Sequence, residues 1–166
     1  KDSEKLIDVL PMAIDYMMKK YDANVVMIPM HYPSDLKISY AVKDRVTMDG
    51  CYVLSEKYSV EDIMGVIGKT EIMIAMRLHS LIYAATQWVP MIGIIYDPKI
   101  EGILKLIHMD YMCSVDNLEL KDLCSNIDIV WSNKDELKLR LKKYDADFKE
   151  RALKNVHMAL ELLDSR

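Results

Sequence analysis

Short apolar runs bounded by turn residues recur along the chain, at 24–29, 51–54, 71–76, 91–95 and, less sharply, 111–115. Runs of this length without polar alternation fit strands buried on both faces. Between them, apolar residues keep helical spacing: Leu6, Leu10, Ala13, Ile14 and Met17; Val60, Ile63, Met64 and Ile67; Leu81, Ile82, Ala85 and Trp88; Ile100, Ile103, Leu104 and Ile107. Pro11 should kink or restart the first of these helices, because it lacks an N–H and its ring crowds the preceding turn. Ser59-Val60-Glu61-Asp62 gives the second a capping-box-like start.

Strands alternating with helices predict an α/β fold. The expected architecture is Rossmann-like, a mostly parallel sheet of about five strands with helices on both faces. Right-handed crossovers then put every strand-to-helix loop on one rim. The stretch 132–166 differs. Leu137, Leu141, Tyr144, Phe148, Ala152, Val156, Leu160 and Leu163 form one apolar stripe on a highly charged background. It reads as one long amphipathic helix, with a break near Asp145 left open, docking on the sheet or on a partner. The chain thus reads as one domain, 1–131 holding the sheet and its helices and 132–166 the last helix.

Composition agrees with that layout. A chain of 166 residues fits one domain and can bury roughly 70% of the surface its unfolded form exposes. With 51% hydrophobic residues, 5 Gly and 5 Pro, it is neither disordered nor collagen-like. The net charge is −4, split evenly between the two halves. No basic half or tail offers the footprint that nucleic acid requires. The longest apolar run, 89–96, is far below the roughly 20 residues that span a bilayer. Residues 1–5 are charged and lack the apolar stretch of a secretion signal, so the expected location is cytoplasmic. Cys51, Cys113 and Cys124 have no metal-ligand spacing and read as small buried hydrophobes. The four histidines form no metal motif either, and no metal or cofactor is expected.

In open α/β sheets, ligands bind outside the carboxyl ends of the strands. Three loops there carry chemistry. In 29–35, Ser34 or Asp35 suits a helix N-cap, and His31, beside two prolines, does not read as core. In 76–80, Arg77 stands at a strand tip next to a helix start. Free N–H groups and the dipole favour an anion there, and the guanidinium fork fits phosphate or carboxylate. The competing reading is an arginine paired with a rim carboxylate. His79 lies in the same first turn, where a bound anion would favour its proton-donor form. In 95–99, Asp97 and Pro98 suit N-cap and first position, Lys99 adds a second cation, and Tyr96 could be core or rim. No glycine-rich phosphate loop and no nucleophile elbow occur. A rim with Arg77, His79 and Lys99 suits a small phosphorylated acid.

Arg77-Leu78-His79-Ser80-Leu81-Ile82-Tyr83-Ala84-Ala85, then Pro90 and Gly93, then Tyr96-Asp97-Pro98-Lys99, resemble the polysaccharide pyruvyl transferase family, most closely its CsaB-like branch. The similarity covers residues 20–115. It implies the C-terminal, donor-side half of a GT-B-like enzyme that transfers pyruvyl from phosphoenolpyruvate to two hydroxyls of a sugar, giving a ketal and phosphate. The acceptor would be a cell-wall glycan, free or lipid-linked, whose product retains S-layer proteins, with the enzyme cytoplasmic or peripheral at the inner membrane face. By the same resemblance Arg77 grips the donor and His79 supplies a proton. Lys99, His31 and Leu78 line the donor, and Asp97 orients or acts as base. Family members also carry an N-terminal half and a first strand preceding the helix at 3–20. The expectation is therefore a sheet that lacks its central strand, or has that place filled otherwise, and an isolated chain without activity.

Two other readings remain. One is the nucleotide-sugar domain of a GT-B glycosyltransferase, with Glu101 or Asp97 on the ribose, since fold does not fix function. The other is non-enzymatic, an anionic-glycan reader or a homo-oligomerisation domain built on the last helix.

Overall fold

The computed structural model describes residues 2–164. Five short strands carry the fold: β1 (Val25–Met27), β2 (Cys51–Val53), β3 (Met73–Ala75), β4 (Met91–Ile95) and β5 (Met112–Ser114). All pairs are parallel, but they form two sheets. One is β1-β2, with Val26 opposite Tyr52. The other is β3-β4-β5, with Ile74 opposite Ile92 and Ile94 opposite Cys113. The expected single sheet is thus divided between β1 and β3, and among the described residues no strand pairs with the free edge of either. The fold is Rossmann-like α/β.

The helices are α1 (Asp2–Tyr21), α2 (Ser34–Lys43), α3 (Val60–Ile67), α4 (Leu78–Thr86), α5 (Pro98–Leu106), α6 (Leu120–Ser132) and α7 (Lys134–Asp164), with a 3-10 turn at Val115–Asn117. Helix α1 ties the sheets together. Its Leu6, Ala13 and Met17 enter the larger core around β3, β4 and β5. Its Ile14 and Met18 enter a smaller one with Val42 and Cys51. Strand β4 is central in its sheet, and Met91, Ile92 and Ile94 are buried. That is why its run has no polar alternation.

At three places the structure decides an open alternative or departs from the expectation. Helix α1 runs through Pro11 without a restart. Proline leaves the carbonyl four residues earlier without its helical donor, and Arg45 Nη1 donates to the Ile7 carbonyl at 3.2 Å while binding Asp8 at 2.6 Å. Helix α7 is unbroken at Asp145 and begins only after α6, an element the runs above do not predict. Asn133 separates the two, its side-chain amide donating to the Ile129 carbonyl. Neither Ser34 nor Asp35 caps α2: Pro33 holds that position, without a side-chain cap bond. Ser59 does cap α3, accepting from Asp62 N at 3.1 Å.

The three cysteines are free thiols, and burial pushes each up from its ordinary pKa. Among the described residues, no group of three or more His, Cys, Asp or Glu could hold a metal ion. No helix there is long and apolar enough to cross a membrane.

Candidate functional site

The loops after β1, β3 and β4 meet at Arg77. Extended backbone at Arg77 makes it the N-cap of α4, and Ser80, buried in the first turn, fixes that cap by donating to the Arg77 carbonyl at 2.6 Å. The guanidinium turns toward α2. Its Nη2 donates to Asp35 Oδ1 at 2.6 Å and its Nε to Asp35 Oδ2 at 3.2 Å. Asp35 is itself oriented by the His31 N–H at 2.9 Å and the Met30 N–H at 3.3 Å.

This is a side-on, two-point clamp of the kind a planar guanidinium favours. The Arg77 side chain is 37% exposed and that of Asp35 16%, so the pair sits at the surface of the rim with Arg77 outermost. Burial works to raise the Asp35 carboxyl, but the Arg77 bonds and the two N–H groups outweigh it and hold it below its ordinary range. Arg77 is pushed up, chiefly by its hydrogen bond to Asp35, with nearby Tyr96 adding to the shift. Asp35 engages only Nε and Nη2, so Nη1 is not used by the clamp.

The other expected residues fall around this pair. His79, in the first turn of α4, is exposed and makes a tilted ring contact with Tyr83 at 6.3 Å. Leu78 is half-buried behind it. His31 is exposed, its Nδ1 2.8 Å from Ser34 Oγ. Asp97 caps α5, accepting from Lys99 N at 2.9 Å, and its Oδ2 lies 3.4 Å from Lys99 Nζ. That backbone bond, then the Lys99 ammonium, lowers the Asp97 carboxyl. The structure brings Arg77, Asp35 and the His31 backbone into one network, with Tyr96 beside Arg77. Asp97 and Lys99 form a second pair at the start of α5.

Spacing did not single out Asp35 as the partner of Arg77, because 42 residues separate them. The available signal was that both directly follow strands expected on the same rim. Tyr96, left open by the sequence, is rim: it is 44% exposed.

The sequence model of the family described as polysaccharide pyruvyl transferase matches residues 1–98. This chain belongs to that family. The match takes in α1, which the motif resemblance at 20–115 leaves out, and ends at Pro98, one residue before Lys99. As a member of a pyruvyl transferase family, the chain is assigned transferase chemistry on a polysaccharide. No curated protein matches the sequence.

Proposed function

We propose that this polysaccharide pyruvyl transferase chain is the donor side of a GT-B-like enzyme and takes phosphoenolpyruvate at the Arg77 rim. The observation that carries this reading is the Arg77 fork at the N-cap of α4, oriented by Asp35 and two residues before the exposed His79. A dianionic phosphate and a carboxylate need a preoriented cation and helix N–H groups, and this rim offers both.

In the reaction, C3 of the enol phosphate takes a proton, which leaves an oxocarbenium centre at C2. One sugar hydroxyl adds to C2 and gives up its proton. Phosphate departs with the electron pair of its C2–O bond, which leaves a second oxocarbenium centre, and the second hydroxyl adds there to close the ketal, its proton going to the departing phosphate. Arg77 and Lys99 offset the charge on phosphate as the C–O bond breaks. His79 is the proton donor, the group type suited to transfer near neutral pH. His31 and Leu78 border the donor. Asp97, already bound to Lys99, is more useful as the group that aims this lysine than as a base, because its carboxyl is held low.

Calorimetric titration tests the donor. Phosphoenolpyruvate should bind the wild-type chain and bind Arg77→Ala at least tenfold more weakly. Equal affinity would remove Arg77 from the site. Displacement of phosphoenolpyruvate by UDP would favour the nucleotide-sugar reading instead. With the active transferase and its acceptor, phosphate release should fall about 10²-fold or more in His79→Ala, the usual share of a general acid. Unchanged turnover would exclude His79.

A further inference from the structure

The reaction fixes what must border the donor. Two hydroxyls of one sugar add in turn to the same carbon, C2 of the donor, and each must come within about 3–3.5 Å of it. The acceptor ring therefore lies against the donor, and the side chains that hold it surround Arg77. Two rings at that place have no part in the donor site. Tyr96 directly follows β4 and stands beside Arg77. Tyr32 directly follows His31, whose N–H holds Asp35 in the clamp.

Neither ring serves the fold. Both are nearly half exposed, and neither belongs to the two hydrophobic cores. Among the described residues, neither stacks on another ring and neither takes a cation over its face. Tyr21 and Tyr144, by contrast, stack on Trp131 and His108. An aromatic face left in water gains free energy when an apolar surface covers it. A sugar suits such a face. A pyranose has an apolar C–H side and an edge of hydroxyls, and tyrosine pairs an apolar ring with a polar tip. Apolar contact is also non-directional. The sugar can therefore pivot between the first and second additions, which fixed hydrogen bonds to the reacting hydroxyls would oppose.

We propose that Tyr96 and Tyr32 form the platform for the acceptor glycan, which lies on them by the C–H side of its rings and turns a hydroxyl edge toward Arg77. The proposal rests on the donor placement above and adds the acceptor to the same rim. The chain's assigned chemistry is on a polysaccharide, and these rings are where the rim holds it.

Saturation-transfer NMR on the full chain tests this, with the methyl glycosides of glucose, galactose, mannose and N-acetylglucosamine as probes and no phosphoenolpyruvate present. At least one should take up saturation at its ring C–H protons. Tyr96→Ala should cut that uptake to about half or less, and Tyr96→Ala with Tyr32→Ala should abolish it. Tyr96→Phe, which keeps the ring, should retain it. Tyr52→Ala, on the equally exposed ring of edge strand β2, should change nothing. All three tyrosines are exposed, so the variants should keep the wild-type circular dichroism and melting temperature. No uptake from any probe, or uptake that ignores Tyr96→Ala, overturns the proposal. So does equal loss in Tyr96→Phe, which would assign a hydroxyl contact instead of stacking. A stronger tyrosine-dependent signal from uridine than from every glycoside also overturns it, by placing a base on these rings. The donor is read apart, by calorimetry. Phosphoenolpyruvate binding without tyrosine-dependent sugar uptake sinks the platform alone, whereas tyrosine-dependent uptake without phosphoenolpyruvate binding supports the platform and sinks the donor reading.

Discussion

Asp35 both competes for Arg77 and prepares it. A free arginine on a loop would lose side-chain entropy when it grips an anion. Here that ordering is already done by two charge-assisted bonds to Nε and Nη2, and neither uses Nη1. Arg77→Lys keeps the charge but cannot make the side-on fork. Donor affinity in that variant should fall nearly as far as in Arg77→Ala, as calorimetry would show. Asp35→Asn should raise KM for phosphoenolpyruvate several-fold and leave kcat closer to wild type, because it disturbs the orientation of Arg77 rather than proton transfer. The same pair couples to pH. The folded carboxyl of Asp35 lies below its unfolded value, so its stabilisation is present above the unfolded pKa of about 4 and is lost as pH falls through the lower folded value. The drop in urea midpoint from pH 7 to pH 3 should therefore be smaller in Asp35→Asn than in wild type. A sequence can name Arg77 and Asp35 as rim residues. It cannot pair them, because that depends on how far α2 and α4 lie apart across two separate sheets.

Strands and long helices were legible wherever one physical rule dominated. Strand β4 is buried along nearly its whole length, and the apolar run and the strand coincide at 91–95. Strands β1, β3 and β5 are each shorter than their apolar runs, since pairing stops before the run does. Helix α6 buries Leu123, Ile127 and Val130, which are spaced as a helix face requires. The pattern was present, but no strand run or cap marked where it starts: its N-cap Glu119 makes no side-chain cap bond. Packing between β4 and α5 offers a sharper test. A Cβ on Gly93 would come within 2.2 Å of Leu104 Cδ1, and Leu104 is fully buried, so it has no open direction in which to yield. Gly93→Ala should destabilise by about 1–3 kcal/mol and Leu104→Ala by about 2–5 kcal/mol. The double variant should lose clearly less than the sum, because the cavity left by one change accepts the methyl added by the other. Additive losses in urea denaturation would show that the two residues do not meet.

At the scale of the whole molecule, the cores join through α1, and α7 divides into two parts with different environments. Leu137 and Leu141 are buried, Tyr144 stacks on His108 at 4.6 Å, and Phe148 packs against the main core. Beyond that the apolar stripe continues, but no described residue covers it: Val156, Leu160 and Leu163 are each more than half exposed. The sequence shows a single periodic stripe and cannot show where its docking surface ends, because that end is set by the width of the domain. Arg151–Asp147 and Lys154–Glu150 staple the outer part along one side, each pair contributing only about 0.3–0.5 kcal/mol. Removing residues 151–166 should therefore shift the urea unfolding free energy by about 0.5 kcal/mol or less, whereas Leu141→Ala, at the far end of the same helix, should cost about 2–5 kcal/mol. A large loss on truncation would place the outer turns of α7 in the cooperative core, against the exposure of every described side chain from Arg151 onward.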